Sequence, residues 1–167
     1  MREPTPAAPQ ATPALISGGQ AFREALASVT AQARLQLSLL SFDLEARIYG
    51  DEALVETVRR FALSHERARV RVLINDTERT MRRAHRLVEL GRQLSSRIQF
   101  RQLPEEHRGL VEEYLIADER ALLFRERSDA LEARLECVPL SARLKLRAFD
   151  PLWEQSTPAR ELAELRI

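Results

Sequence analysis

The sequence has one cysteine, Cys137, so no intramolecular disulfide can staple it, and none is needed at 167 residues. A lone cysteine acts as a nucleophile only beside a histidine placed by the fold, so Cys137 reads instead as a small apolar residue buried in a strand. Lysine is nearly missing as well: Lys145 is the only one, and arginine supplies the other cations. Arginine suits planar, bidentate contacts to phosphate or carboxylate. A formal net charge of +1 nevertheless excludes a strongly basic nucleic-acid binder on composition alone. No run approaches the ~20 apolar residues of a membrane span. Arg2 is followed by prolines and not by an apolar core, so no signal peptide is read and a cytoplasmic setting is expected. No cofactor or membrane partner is expected.

The length fits one domain able to bury about 70% of the surface its unfolded chain exposes. Pro4, Pro6, Pro9 and Pro13 lie among alanine and threonine, so residues 1–14 read as a disordered tail and 15–167 as the folded domain. Ser17-Gly18-Gly19-Gln20 has capping-box spacing, and Phe22, Ala25, Leu26 and Val29 follow at helical spacing. Residues 34–42 change to period two, which predicts a strand. Asp51 predicts the N-cap of a helix to about Ser64. Val70, Val72 and Ile74 mark a second strand, and Asp76 or Thr77 starts a helix whose stripe is Met81, Ala84, Leu87, Val88, Gly91 and Leu94. Ile98 and Phe100 mark a third. Strand-helix-strand units of this length imply parallel neighbours.

The apolar runs 114–117 and 121–124 flank the polar turn Asp118-Glu119-Arg120, which predicts a hairpin. Leu131, Ala133, Leu135 and Cys137 alternate as a further strand. Ser141 is a cap for a helix burying Leu144, Ala148 and Phe149, with a break and restart expected at Asp150-Pro151 and the same device again at Thr157-Pro158. Tyr114 and Trp153 read as core packers, and His107 as an exposed loop residue.

The stretches Ser41-Phe42-Asp43-Leu44-Glu45 with Ile48-Tyr49, Val70 to Asp76, His85-Arg86-Leu87 with Leu94-Ser95-Ser96, Tyr114 to Asp118 and Phe149 to Glu154 carry a resemblance. In that order, over roughly residues 20–165, the chain resembles one half of the phospholipase D superfamily, and within it a bacterial group with a degenerate domain. The resemblance implies an α/β fold, a mixed β-sheet flanked by helices, as a phospholipase D-like single half. It also implies a pairing face, hence a homodimer or a protein partner. Active members carry His-x-Lys-x-x-x-x-Asp, in which the histidine attacks phosphorus and the lysine holds phosphate oxygens. With the aspartate at Asp118, those positions are Val111 and Glu113. Counting from His65, His85 or His107 restores no such motif. The resemblance therefore implies a non-catalytic binding or interaction module.

Ligands of open parallel sheets bind beyond the carboxyl ends of the strands. Asp43, Asn75, Asp76, Arg79 and, on the next helix, His85 are the candidate ligand-binding residues there, and Glu45 lies with them. Each also has a plain structural use: Asp76 as a cap, Asn75 as a turn former, Asp43 as a loop residue. Asp43, Asp76 and His85 could in principle form a catalytic or metal set, but their spacing gives no support for a metal. On one continuous helix from Thr77 to Arg92, Arg79, Arg82, Arg83 and Arg86 share a side. Phosphate-backbone binding by that side is the alternative function.

Overall fold

A computed structural model describes residues 12–83 and 85–164. The period-two stretches form its centre. β2 (Gln36–Ser41), β3 (Arg69–Ile74) and β4 (Ile98–Gln102) pair in parallel, and α3 (Glu52–Leu63) crosses from β2 to β3. Asp51 caps α3 through its carboxylate, which accepts from the Leu54 N–H at 3.1 Å, as its position predicts. The hairpin is β5 (Glu113–Ala117) and β6 (Ala121–Arg125), with β5 antiparallel to β2. β7 (Glu132–Glu136) joins β6, and its flanking Leu131 and Cys137 are exposed, so the cysteine is not the buried strand residue expected.

Among the described residues the sheet has eight strands, ordered β1-β7-β6-β5-β2-β3-β4-β8. The fold is thus α/β with a mixed sheet, as expected. Its two edges are short. β1 (Ala14–Ser17) pairs with β7, and β8 (Thr157–Pro158) pairs with β4, where a proline is tolerated because no neighbour needs its missing N–H. The expected tail therefore ends earlier than residue 14, and its residues 1–11 lie outside the described part of the chain.

Several expected boundaries are corrected. Ser17 is paired with Glu132 in the ladder, so it forms no capping box; Gly18 caps α1 (Gly19–Gln32) with φ +91°, a conformation that favours glycine. The single helix expected after β3 is two, α4 (Thr77–Arg82) and α5 (Arg86–Gln93). Ala84, in the break, lies outside the described residues. Leu87, Val88, Leu90 and Gly91 keep the buried stripe on α5, where a Cβ at Gly91 would overlap the Phe100 ring. A short α2 (Ala46–Tyr49) and the 3-10 turn Glu105–His107 carried no strong periodicity; His107 in that turn is half-buried, not exposed.

The final long helix, α6 (Pro139–Gln155), starts at Val138 with Pro139 in its first turn, not at Ser141. It also runs through Pro151 without restarting. Phe149 on one side of the proline and Leu152 and Trp153 on the other are all buried against the sheet, which holds the helix continuous despite the lost bond. Those contacts set the helix phase, so Leu144 and Ala148 face outward instead of being buried. Thr157-Pro158 forms β8, and α7 (Arg160–Ala163) follows it.

The sheet separates two cores. α1, α3 and α5 pack on one face through Phe22, Leu26, Val58, Phe61, Leu87 and Val88. On the other face Leu40, Leu73, Tyr114, Ile116 and Leu122 meet α6 together with Leu103 and Leu110 from the segment after β4. Tyr114 and Trp153 are core residues there, as expected. Arg71 of β3 lies under α6, with its guanidinium 4.8 Å from the Phe149 ring centroid and 2.9 Å from Asp150.

Candidate functional site

β2 ends at Ser41, and β5 begins at Glu113 beside it because the two strands are antiparallel. β6 ends at the same side of the sheet. The loops leaving these strands enclose an open cleft of about 420 Å³ at their mouth, lined by Phe42, Asp43, Glu45, Arg79, Arg83 and Val111 together with residues 127–129. The cleft balances its charges. Asp43 Oδ2 lies 2.9 Å from Arg79 Nε, and Arg127 makes two bonds to Asp129, at 3.0 and 3.1 Å.

Of the candidate ligand-binding residues, Asp43 and Arg79 line this cleft, while the other three are held elsewhere. Asp76 accepts from the Arg79 N–H at 2.9 Å and caps α4. Asn75 is buried and donates Nδ2–H to the carbonyls of Arg108 and Leu110, both at 2.9 Å, which fastens the loop after β4. His85 caps α5: its Nδ1 accepts from the Leu87 N–H at 3.2 Å, leaving Nε2–H to donate to the Leu44 carbonyl at 2.8 Å. Burial lowers the pKa of this imidazole, with the Leu44 bond working against that shift. The sequence placed Asp43, Asp76 and His85 near each other in order, but the structure gives each its own task. No group of three or more metal-ligating side chains occurs among the described residues.

The arginine face changes in the same way. α4 and α5 are separate helices, so Arg79, Arg82, Arg83 and Arg86 do not share one helical side. Arg79 pairs with Asp43, Arg82 with Glu78 at 3.7 Å, and Arg86 with Glu52 at 3.3 Å, while Arg83 lines the cleft.

Near the cleft, two residues along the chain from its Val111 and Arg127, lies a buried polar cluster that the sequence reading missed. Glu113, 2% exposed, accepts from Arg125 Nη2 at 3.0 Å and from the Tyr49 hydroxyl. Arg125, 6% exposed, also donates to the Ala130 carbonyl at 3.2 Å and lies 4.2 Å over the Phe22 ring. The signal for half of it was present: with a turn at 118–120, hairpin register places Glu113 directly opposite Arg125. Tyr49 comes from α2, and nothing local in the sequence points it at β5.

Burial pushes the Glu113 carboxyl from 4.5 up to about 7; Arg125 and the Tyr49 hydrogen bond pull it down without cancelling the shift, and Asp43 adds a small rise. Burial first, then Glu113, raises the Tyr49 phenol well above its ordinary value. The folded chain therefore holds the Glu113 proton more tightly than the unfolded chain does. The resulting stabilisation is complete below about pH 4.5 and is lost as pH rises through about 7. Between about pH 5 and 8, Glu113 should remove on the order of 3 kcal/mol of stability. His85 contributes with the opposite sign. Urea denaturation of wild type and Glu113→Gln across this range isolates the effect: the difference between the two should change with pH, and a constant difference would refute it.

At the other end of β5, Asp118 has φ +52° and receives the N–H groups of Arg34, Leu35 and Gln36 at 2.9, 2.8 and 3.0 Å. The turn aspartate thus ties the hairpin to the chain entering β2, far from the cleft.

This arrangement, a mixed eight-stranded sheet flanked by helices with a cleft at its strand ends, is a phospholipase D-like fold. Residues 19–165 match the family described as Domain of unknown function (DUF7931), and the chain belongs to that family. No curated protein matches. Among solved structures, the chain is similar to Nuc, a phospholipase D family member from Salmonella typhimurium, at 16% identity and TM-score 0.58, covering 88% of this chain and 98% of that one. It is similar to phosphatidylserine synthase of Haemophilus influenzae Rd KW20 at 11% identity and TM-score 0.63, covering 93% of this chain and 41% of that one. It is also similar to TrmBL2, an archaeal chromatin protein that binds DNA, at 12% identity and TM-score 0.63, covering 90% of this chain and 56% of that one. The chain thus spans about half or less of the last two proteins. Identities this low establish the fold alone. No helix among the described residues is long and apolar enough to cross a membrane.

Proposed function

We propose that this chain is a non-catalytic phospholipase D-like binding or protein-interaction module whose contact surface includes the strand-end cleft. The observation that carries the reading is Glu113. At the position where an active relative holds phosphate with lysine, this chain has a buried carboxylate already bound to Tyr49 and Arg125. Val111, at the nucleophile's position, lines the cleft with a hydrocarbon side chain that cannot attack phosphorus. The balanced charges of the cleft suit a ligand or protein surface bearing both signs better than a polyanion.

Purified protein should hydrolyse neither bis(p-nitrophenyl) phosphate nor a labelled oligonucleotide above the buffer rate. Turnover that disappears in His85→Ala or His107→Ala would overturn the proposal.

The alternative, phosphate-backbone binding by Arg79, Arg82, Arg83 and Arg86, draws on the shared fold with the archaeal DNA-binding protein. The acidic partners of Arg79, Arg82 and Arg86 weaken it, because each would have to be displaced. It requires affinity that falls with salt and is lost in Arg82→Glu with Arg86→Glu.

A further inference from the structure

The sheet ends at β1 with an open edge, and the surface beside that edge carries exposed apolar side chains. On the α6 face a row of cross-strand neighbours runs Tyr114, Phe124, Arg134, Leu15. Tyr114 is packed under α6, Phe124 is half-buried with the Arg134 guanidinium 5.0 Å from its ring centroid, and Leu15 is 77% exposed. Leu131, just before β7, is 76% exposed, and these two are the most exposed large apolar side chains among the described residues. Both line one open groove of about 570 Å³, whose walls include Phe124, Glu126, Glu132 and Arg134. It shares no lining residue with the strand-end cleft.

The backbone is unpaired at the same place. The Gly18 N–H donates to the Leu131 carbonyl at 2.8 Å, so by the alternation of an antiparallel ladder Ala14 and Ile16 bond to β7, while the N–H and C=O of Leu15 and Ser17 point out of the sheet. Neither makes a backbone hydrogen bond outside the ladder among the described residues. Pro13 has no N–H with which to extend this edge, and the chain turns into α1 at Gly18, so the free edge is only a few residues long. The groove is also short of positive charge. Arg134 sits on the Phe124 ring, and neither Glu126 nor Glu132 has an ion-pair partner among the described residues.

We infer that this edge and groove take a short extended segment of a partner protein, which adds to β1 as a further strand and carries an apolar residue flanked by lysine or arginine. Main-chain bonds to Leu15 and Ser17 would hold the segment. Its side chains alternate, so an apolar residue beside Leu15 enters the groove, and cations two positions away on the same face meet the groove's carboxylates. A second copy fits less well: it would set β1 against β1, which has no cation to offer, and it would bring the same carboxylates.

Nuclear magnetic resonance of the isotope-labelled full chain, titrated with the acetylated and amidated peptide Lys-Thr-Leu-Thr-Lys, tests this; the peptide is palindromic and can add in either direction. Amide shifts should be confined to β1, β7 and the loop 126–131, and exchange of the Leu15 and Ser17 amides should slow at least about tenfold on saturation. The peptide Glu-Thr-Leu-Thr-Glu should bind at least about tenfold more weakly. Leu15→Asp with Leu131→Asp should weaken binding by a similar factor, while Leu63→Asp, a leucine 58% exposed on α3, should leave it unchanged. Glu126→Lys with Glu132→Lys should reverse the preference between the two peptides. A protected Ile16 amide in each variant confirms that β1 still pairs with β7. No shift at about 1 mM peptide, equal binding of the two peptides, or shifts centred elsewhere would overturn the proposal. So would Leu15 and Ser17 amides already protected in the free chain, because a second copy or another part of the same chain would then hold the edge.

Discussion

Glu113→Lys, which places a lysine where the resemblance to active phospholipase D members would put one, is expected to destabilise the chain by at least about 3–5 kcal/mol, the cost of breaking a buried ion pair. That is a large share of the ~5–15 kcal/mol that a folded domain has in total. The new ammonium would sit against the Arg125 guanidinium, 3.0 Å from the oxygen it replaces, in a site 2% exposed. It would also leave the Tyr49 hydroxyl without its acceptor. Glu113→Gln keeps an acceptor for both partners and should cost far less, about 1–2 kcal/mol. Urea midpoints for the two variants check the order. A lysine variant as stable as wild type would mean that Arg125 is not committed to Glu113.

Asp118→Ala should cost about 2–4 kcal/mol, combining lost charge-assisted hydrogen bonds with strain at a left-handed backbone position. Three N–H groups at the entrance to β2 lose their acceptor, although those of Arg34 and Leu35 are exposed and can turn to water. Asp118→Gly relieves the φ of +52° but not the lost bonds, and Asp118→Asn retains part of both. The expected order of stability is wild type, Asn, Gly, Ala. An alanine variant within about 0.5 kcal/mol of wild type would refute the role, since that is the scatter of inert surface changes.

Glu113 and Asp118 act at the two ends of β5. In the pattern of active phospholipase D members that the chain resembles, the positions corresponding to 111 and 113 would serve chemistry and the one at 118 would support them from the hairpin turn. Here Asp118 has a structural duty at the end of β5 opposite the cleft, and Glu113 has one at the cleft end.

What the sequence made legible was whatever repeats locally. Val70, Val72 and Ile74, the hairpin's apolar runs, and the caps Asp51 and Asp76 all stand where their spacing put them, because a period or a cap is decided within a few residues. The break before α5 was hidden, since the stripe from Met81 to Leu94 continues in phase across it. The His85 imidazole, bonded both to Leu87 and to Leu44 in a distant loop, caps the new helix that starts there. β1 was hidden because its four residues gain their partners from β7, more than a hundred positions away. The site was partly legible: Val111 and Glu113 could be placed by counting, but the fate of the Glu113 carboxylate depended on Tyr49, which the fold alone brings to it.

A double-mutant cycle between Glu113 and Arg125 tests most directly whether Glu113 serves the fold. Stabilities of wild type, Glu113→Gln, Arg125→Met and the double variant give the coupling of the pair. The buried pair predicts at least about 2 kcal/mol of coupling, with the double variant more stable than the sum of the single losses allows. Additive losses would mean that the two side chains act independently and would contradict the account.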